Sequence, residues 1–256
     1  LLHYLRIILT CRVKKHYKMK QILILLYCLY SGLAFSQEIE ILEKGDTLQK
    51  PKYVQFIYLS EKTPLDSITF VAKIKATGSL HNVSNLFLFI NAEAQKLGAN
   101  SFKFESFKTL DSQNGELILS TYYCNGEDDF FDKNFENLPK NKIYIFGSQD
   151  MLATKTQSYK INGEKHEIES GKFAQFDIKP DEEVKINKGG FTGMTLWVKR
   201  KPEGYSSFLN FSGIGLNGTS YNAYSGGVGV SINTGTINKI EPNLALALLK
   251  IYSEQK

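Results

Sequence analysis

The stretch HNVSNLFLFINAEAQKLGANSFKFESF, residues 81–107, carries two periodicities in succession. Leu86, Phe87, Ile90, Ala94 and Leu97 recur at spacings of three and four, which puts them on one helical face. Asn82 or Ser84 is placed to cap the start, and Gly98 supplies the left-handed residue that stops the helix after Leu97. The period then falls to two, with Phe102 and Phe104 alternating with Lys103 and Glu105, the pattern of a strand with one buried face. A helix that gives way directly to a half-buried strand packs on the sheet it enters, so the expected fold class is α+β.

Working outward, YVQFIYL (53–59) and SITFVAKIKA (67–76) are rich in aromatic and β-branched residues and read as strands joined by the turn segment EKTPLD; GELILSTYY (115–123) is a further strand. The product is a β-β-α-β-β domain over residues 53–126, one helix packed on an antiparallel sheet. Ala94 and Ala99 are small enough to let that helix lie close. Residues 37–52, QEIEILEKGDTLQKPK, are polar, end on Pro51 and read as an arm.

The run AEAQKLGANSFKFESF resembles the helix-to-strand junction of small bacterial envelope domains, among them the outer-membrane stress-sensor lipoproteins, over residues 53–124. The resemblance implies a structural domain of the cell envelope. Those sensors depend on disulfides and a lipidated cysteine, both absent here, so their signalling role is not implied.

Residues 127–140 read as a linker, bounded by Asn125-Gly126 and Pro139. Glu127, Asp128, Asp129, Asp132 and Glu136 invite a calcium reading, because hard cations take clustered oxygen ligands. The spacing does not follow an EF-hand, and Phe130 and Phe131 interrupt it. A solvated acidic loop with its phenylalanines tucked into a domain interface fits better, and no metal ligand is assigned.

From residue 141 to 252 short strands alternate with turn signals: KIYIF, QSYKI and KHEIES around Asn162-Gly163, GKFAQFDI before Pro180-Asp181, EEVKIN before Gly189-Gly190, and MTLWVKR before Pro202. This predicts a mainly antiparallel β-sandwich domain, closed by a terminal helix, PNLALALLKIY, with Pro242 in its first turn. The order of a Tyr-Ile-type strand, an Asn-Gly hairpin and a strand entering a Pro-Asp turn resembles a β-rich bacterial envelope family of unknown function. Its usual arginine after the first strand is replaced here by Gly147.

Gly213-Ile-Gly215-Leu-Asn-Gly218 satisfies G-x-G-x-x-G, but no helix pattern and no acid within 20 residues follow it, so no dinucleotide site is expected. A glycine-rich loop is the better reading, with Tyr205, Tyr221 and Tyr224 as a candidate interaction surface that orders few rotatable bonds.

The amino-terminal segment decides compartment. MKQILILLYCLYSGLAFSQ (19–37) has a basic start, an apolar run too short to span a bilayer, and small residues before a cut between Ser36 and Gln37. It reads as a signal peptide over residues 19–36, so membrane contact is expected only through that transient segment. Residues 1–18 stand outside the fold, either from a start placed too early or as a basic leader. The whole chain carries 31 Lys+Arg and 26 Asp+Glu, net +5; residues 1–36 hold six of the basic residues and no acid, leaving −1 for the remainder. The electrostatic case for nucleic acid leaves with the leader. Cys11 and Cys28 leave too, so no intramolecular disulfide is expected for Cys124.

Chemistry is sparse beyond the leader. His81 and His166 are isolated in sequence, no H-x-x-x-H or C-x-x-C offers a zinc site, and no G-x-S-x-G elbow occurs. No catalytic or cofactor-binding residue is assigned. Asp46-Thr47-Leu48 and Asp66-Ser67-Ile68 resemble bacterial O-glycosylation triplets, giving Thr47 and Ser67 as candidates. The expected function is an exported, non-catalytic binding module acting in the periplasm, at the cell surface or as a secreted protein, with an extracytoplasmic protein or glycan as partner. The alternative is a secreted hydrolase using Cys124 or a carboxylate at the domain junction.

Overall fold

Hydrophobic periodicity at residues 86–97 produces the expected helix in the computed structural model, which describes residues 37–45, 55–125, 129–189, 193–200, 202, 204–211 and 236–255. In chain order the elements are β1 (Glu38–Lys44), β2 (Ile57–Leu59), β3 (Thr69–Ser79), α1 (Val83–Lys96), β4 (Ser101–Thr109), β5 (Asn114–Tyr123) and α2 (Phe130–Glu136). There follow β6 (Lys142–Phe146), β7 (Thr156–Ile161), β8 (Glu164–Glu169), β9 (Lys172–Asp177), β10 (Glu183–Lys188) and β11 (Met194–Lys199). The chain ends with β12 (Ser207–Asn210), β13 (Asn238–Lys239), α3 (Pro242–Ile251) and β14 (Ser253–Glu254). The class is α+β.

Helix α1 buries Val83, Leu86, Phe87, Ile90 and Ala94. Its start departs from expectation. Asn82 makes no side-chain cap; Ser79 Oγ instead accepts from the His81 N–H (3.2 Å) and opens a short 3-10 turn, Leu80–Asn82. Ser84 Oγ lies 2.6 Å from Gln149 Oε1 and 2.9 Å from Asn82 Oδ1, sharing one proton between two acceptors. Gly98 ends the helix at φ +95°, and the Ala99 N–H reaches back to Ala94 O at 2.9 Å, the expected left-handed stop. Asn100 does more than turn the chain. Its Nδ2 donates to Cys124 O (2.5 Å) and its Oδ1 accepts from the Cys124 N–H (2.9 Å), fastening the end of β5.

The first sheet has the order β1-β3-β5-β4-β2. All its pairs are antiparallel except β2 with β4, which run parallel. The expected arm is corrected: residues 38–44 form edge strand β1, with Ile39 opposite Ala76 and Ile41 opposite Ile74, and Glu40 ion-paired to Lys75. The charged residues that made this segment look like an arm lie along a sheet edge, where charge discourages further strand pairing. Beneath the sheet Phe102 stacks on Phe56 at 4.6 Å and meets Phe87 and Tyr58 edge-on.

The carboxy-terminal strands form two sheets, β11-β10-β7-β8 and β13-β12-β6-β9-β14. The four-stranded sheet is antiparallel throughout, whereas β12 lies parallel to β6 and β14 parallel to β9. One apolar core joins Ile143, Ile145 and Leu209 of the second sheet to Tyr159, Ile168, Val184 and Ile186 of the other. At Asn162-Gly163 both φ values are positive (51° and 94°), as a two-residue hairpin requires. At Gly147 a Cβ would sit 1.8 Å from Glu169 O, so the close backbone approach leaves no room for a side chain.

The opposite face of the five-stranded carboxy-terminal sheet offers Tyr144, Phe146 and Phe208 to the core that contains α1 and the first sheet. Helix α3 fills that core with Leu244, Ala245, Leu246, Ala247 and Leu248. A helix apolar nearly all round must be buried on several sides. The expected division into domains 53–126 and 141–252 is therefore corrected: the described residues from Gln37 onward cluster as one compact unit.

The expected linker is corrected with it. Residues 130–136 form α2, with Phe130 buried against Leu59, Tyr122 and Cys124. Asn134, 2% exposed, accepts from the Ser60 N–H (2.9 Å) and the Thr63 hydroxyl (2.7 Å) and donates to Tyr58 C=O (2.9 Å). Asn134→Ala strands three buried polar groups, each costing about 1–3 kcal/mol. The expected result is a loss of about 3 kcal/mol or more in urea unfolding; a change below about 0.5 kcal/mol would restore the linker reading.

Candidate functional site

The residues singled out in sequence are dispersed. Cys124 is 3% exposed, and Ser79, just before His81, stands opposite Asn114 while Thr69 stands opposite Tyr123. Ten strand residues at about 3.3 Å each separate the Cys124 end of the sheet from the His81 end. These two side chains cannot form a nucleophile pair. His81 Nδ1 instead lies 3.0 Å from both carboxylate oxygens of Asp150. Burial tends to raise the Asp150 carboxyl, but the hydrogen bond from His81 and the amides of Leu152 and Ala153 outweigh it and hold its pKa below the usual range. Among the described residues no hydroxyl or thiol is hydrogen-bonded to the His81 ring, and the pair stitches the 3-10 turn ahead of α1 to the loop after β6.

His166 is packed between the rings of Tyr159 and Phe176, each 5.5 Å away. Ser67 is exposed in the turn before β3, whereas Thr47, Tyr221, Tyr224, Ser36 and the glycine motif lie outside the described residues. Gln37 is exposed directly ahead of β1. Tyr205 bridges to Lys140 and its ring lies 4.7 Å from Phe135 of α2, while the side chain remains 53% exposed. Of the acidic run, Asp129, Asp132 and Glu136 are described; Glu136 is ion-paired to Lys140 at 2.5 Å. Among the described residues no group of three or more His, Cys, Asp or Glu could hold a metal ion.

What the structure assembles instead is the outer face of the sheet β11-β10-β7-β8. Alternation sends Val184, Ile186, Tyr159, Ile161 and Ile168 into the sandwich, leaving Glu183, Lys185, Asn187, Ser158, Lys160, Lys165, Glu167 and Glu169 on the other side. Trp197, the chain's single tryptophan, lies opposite Lys185 on edge strand β11 and is 55% exposed. Lys185 Nζ sits 5.9 Å from the centre of its ring. One row inward, Thr195, Asn187, Lys160 and Lys165 line up across the four strands, a span of roughly 14 Å at normal strand spacing. Asn187 Nδ2 donates to Thr195 Oγ1 (2.5 Å), which holds the amide with its Oδ1 free of any partner among the described residues.

The charges of this face are unevenly paired. Lys165 reaches Glu167 at 3.6 Å and Lys199 reaches Glu183 at 3.7 Å, long and exposed contacts of little energetic weight. Lys160 and Lys185 form no ion pair among the described residues. At the same end of the hairpin a solvent-open depression of about 680 Å³ is lined by Asn141, Pro180–Glu183, Lys199, Arg200 and Pro202.

Sequence reasoning passed over this site because MTLWVKR and EEVKIN read only as strands; the alternation of Trp197 and Lys199 against buried Val198 was the available signal. No protein-family model, curated protein or solved structure matches the chain.

Proposed function

We propose that this chain is an exported, non-catalytic binding module of the cell envelope or the extracellular space. The observation that carries this reading is the outer face of β11-β10-β7-β8, where a half-exposed tryptophan lies near Lys185 and Lys160, which form no ion pair among the described residues, and near hydrogen-bonding side chains of the same sheet. Rigid aromatic side chains in a polar setting are common anchors of recognition, since they bury area at low entropic cost. The signal-like stretch at residues 19–36, the near-neutral charge beyond it and the resemblance of both halves to bacterial envelope domains support export.

The hydrolase alternative, with Cys124 or a carboxylate at the domain junction, is less well supported: Cys124 is buried and its backbone is clasped by Asn100. Thiol-specific alkylation checks this: Cys124 is expected to react slowly in the native protein and fast only in denaturant. Rapid native reaction at low pH would revive the enzyme. The direct test is fractionation followed by co-sedimentation. Protein beginning at Gln37 is expected outside the cytoplasm and is expected to bind isolated envelopes saturably; cytoplasmic retention or absence of binding would overturn the proposal.

A further inference from the structure

We propose that the outer face of β11-β10-β7-β8 is a binding platform for an acidic glycan, a reading that rests on the binding-module proposal and names the ligand class. Trp197 presents a flat indole more than half exposed, the shape that stacks on the C–H face of a pyranose ring. Beside it stand side-chain groups that a sugar's hydroxyls require: the Oδ1 of Asn187, which has no partner among the described residues, and the Thr195 hydroxyl. Lys185 and Lys160, on neighbouring strands and without carboxylate partners among the described residues, supply the charge complement for uronate carboxylates spaced along a chain. Charge-assisted hydrogen bonds of this kind are stronger than neutral ones.

Other occupants fit the face less well. A protein interface draws on a cluster of apolar and aromatic anchors and is depleted in lysine at its centre; here Trp197 is the single aromatic ring among lysines and glutamates of the described face. Single-stranded nucleic acid needs several aromatic platforms for successive bases within a strongly basic groove. This face has one aromatic ring, and residues 37–256 carry a net charge of −1.

The single tryptophan makes the test direct, because its emission reports from the site itself. Mature protein (residues 37–256) is titrated with short oligogalacturonates, with neutral gluco-oligosaccharides, with poly-glutamate and with a single-stranded oligonucleotide. The expected result is a saturable change in emission with oligogalacturonate, weakened by salt and weaker by about tenfold with the neutral sugar. The double variant Lys160→Gln/Lys185→Gln is expected to lose about tenfold in affinity. Trp197→Ala, followed by calorimetry, is expected to lose at least as much. All five side chains used are exposed or half-exposed, so circular dichroism is expected to be unchanged in the variants.

Absence of emission change and of heat with oligogalacturonate overturns the proposal, as does equal or tighter binding of poly-glutamate or the oligonucleotide, which would mark a peptide or nucleic-acid surface. Envelope co-sedimentation that survives both variants overturns the assignment of this face while leaving the binding-module reading intact. Co-sedimentation absent from the unmodified protein as well defeats the parent reading instead.

Discussion

A chain ending at Glu241 is expected to lose cooperative folding throughout residues 37–241, including the first sheet, which lies more than a hundred residues upstream. The reason is the position of α3. Leu244, Leu246 and Leu248 are buried in the core shared by α1, Phe102 and Phe146, and Asn243 Oδ1 accepts the Tyr58 N–H of β2 at 2.9 Å. Removing the helix uncovers both the first sheet and the face of Tyr144 and Phe208. A single buried leucine truncated to alanine costs about 2–5 kcal/mol, and total stability is about 5–15 kcal/mol, so losing three leucines exceeds what the fold holds. Leu248→Ala gives the graded version: one urea transition, its midpoint lowered by that amount. Native near-ultraviolet dichroism retained by the truncated chain, or two separate transitions in Leu248→Ala, would restore the picture of two independent domains.

Alkaline unfolding between pH 10 and 12 is the second large effect expected. Burial pushes the phenols of Tyr58, Tyr144 and Tyr159 up to about 12, with Glu61 adding to the first and Asp177 and Glu254 to the second. Burial also raises Tyr252. A raised native pKa means that the folded state holds these protons more tightly than the unfolded chain, whose phenols ionise near 10. The associated stability is complete below pH 10 and is lost as pH climbs through 12. At about 1.4 kcal/mol per pH unit, each of the three contributes roughly 2–3 kcal/mol, together a large part of a typical domain's stability. Tyrosinate absorbance should therefore rise in a step that coincides with loss of far-ultraviolet dichroism. Smooth ionisation of all tyrosines near pH 10, with the fold intact, would show that these hydroxyls are solvated.

Local features were legible because they are local. The three-and-four spacing from Leu86 to Leu97 with Gly98 behind it, the Asn162-Gly163 hairpin and Pro242 at the head of α3 each depend on residues a few positions apart. The same habit of reading misled at residues 38–44, where Glu38, Glu40 and Glu43 outweighed the alternation of Ile39 and Ile41, and at residues 130–136, where an acidic composition concealed Phe130 and Asn134. Composition averages over both faces of an element. Burial selects one.

By itself the sequence determined the α+β class, the placement of α1 and α3, most strands of the carboxy-terminal half and the separation of residues 1–36 from the rest in charge and character. Only the tertiary structure decided that α3 completes a core begun at Phe56, that β2 runs parallel to β4, that Cys124 and His81 lie at opposite ends of one sheet, and that Trp197 shares a face with Lys185, Asn187 and Lys160. Periodicity records which face of an element is apolar, and neighbouring residues suffice to read it. Which faces meet, and what a remaining face displays, depends on strand order and register, and those are set by the packing of the whole chain.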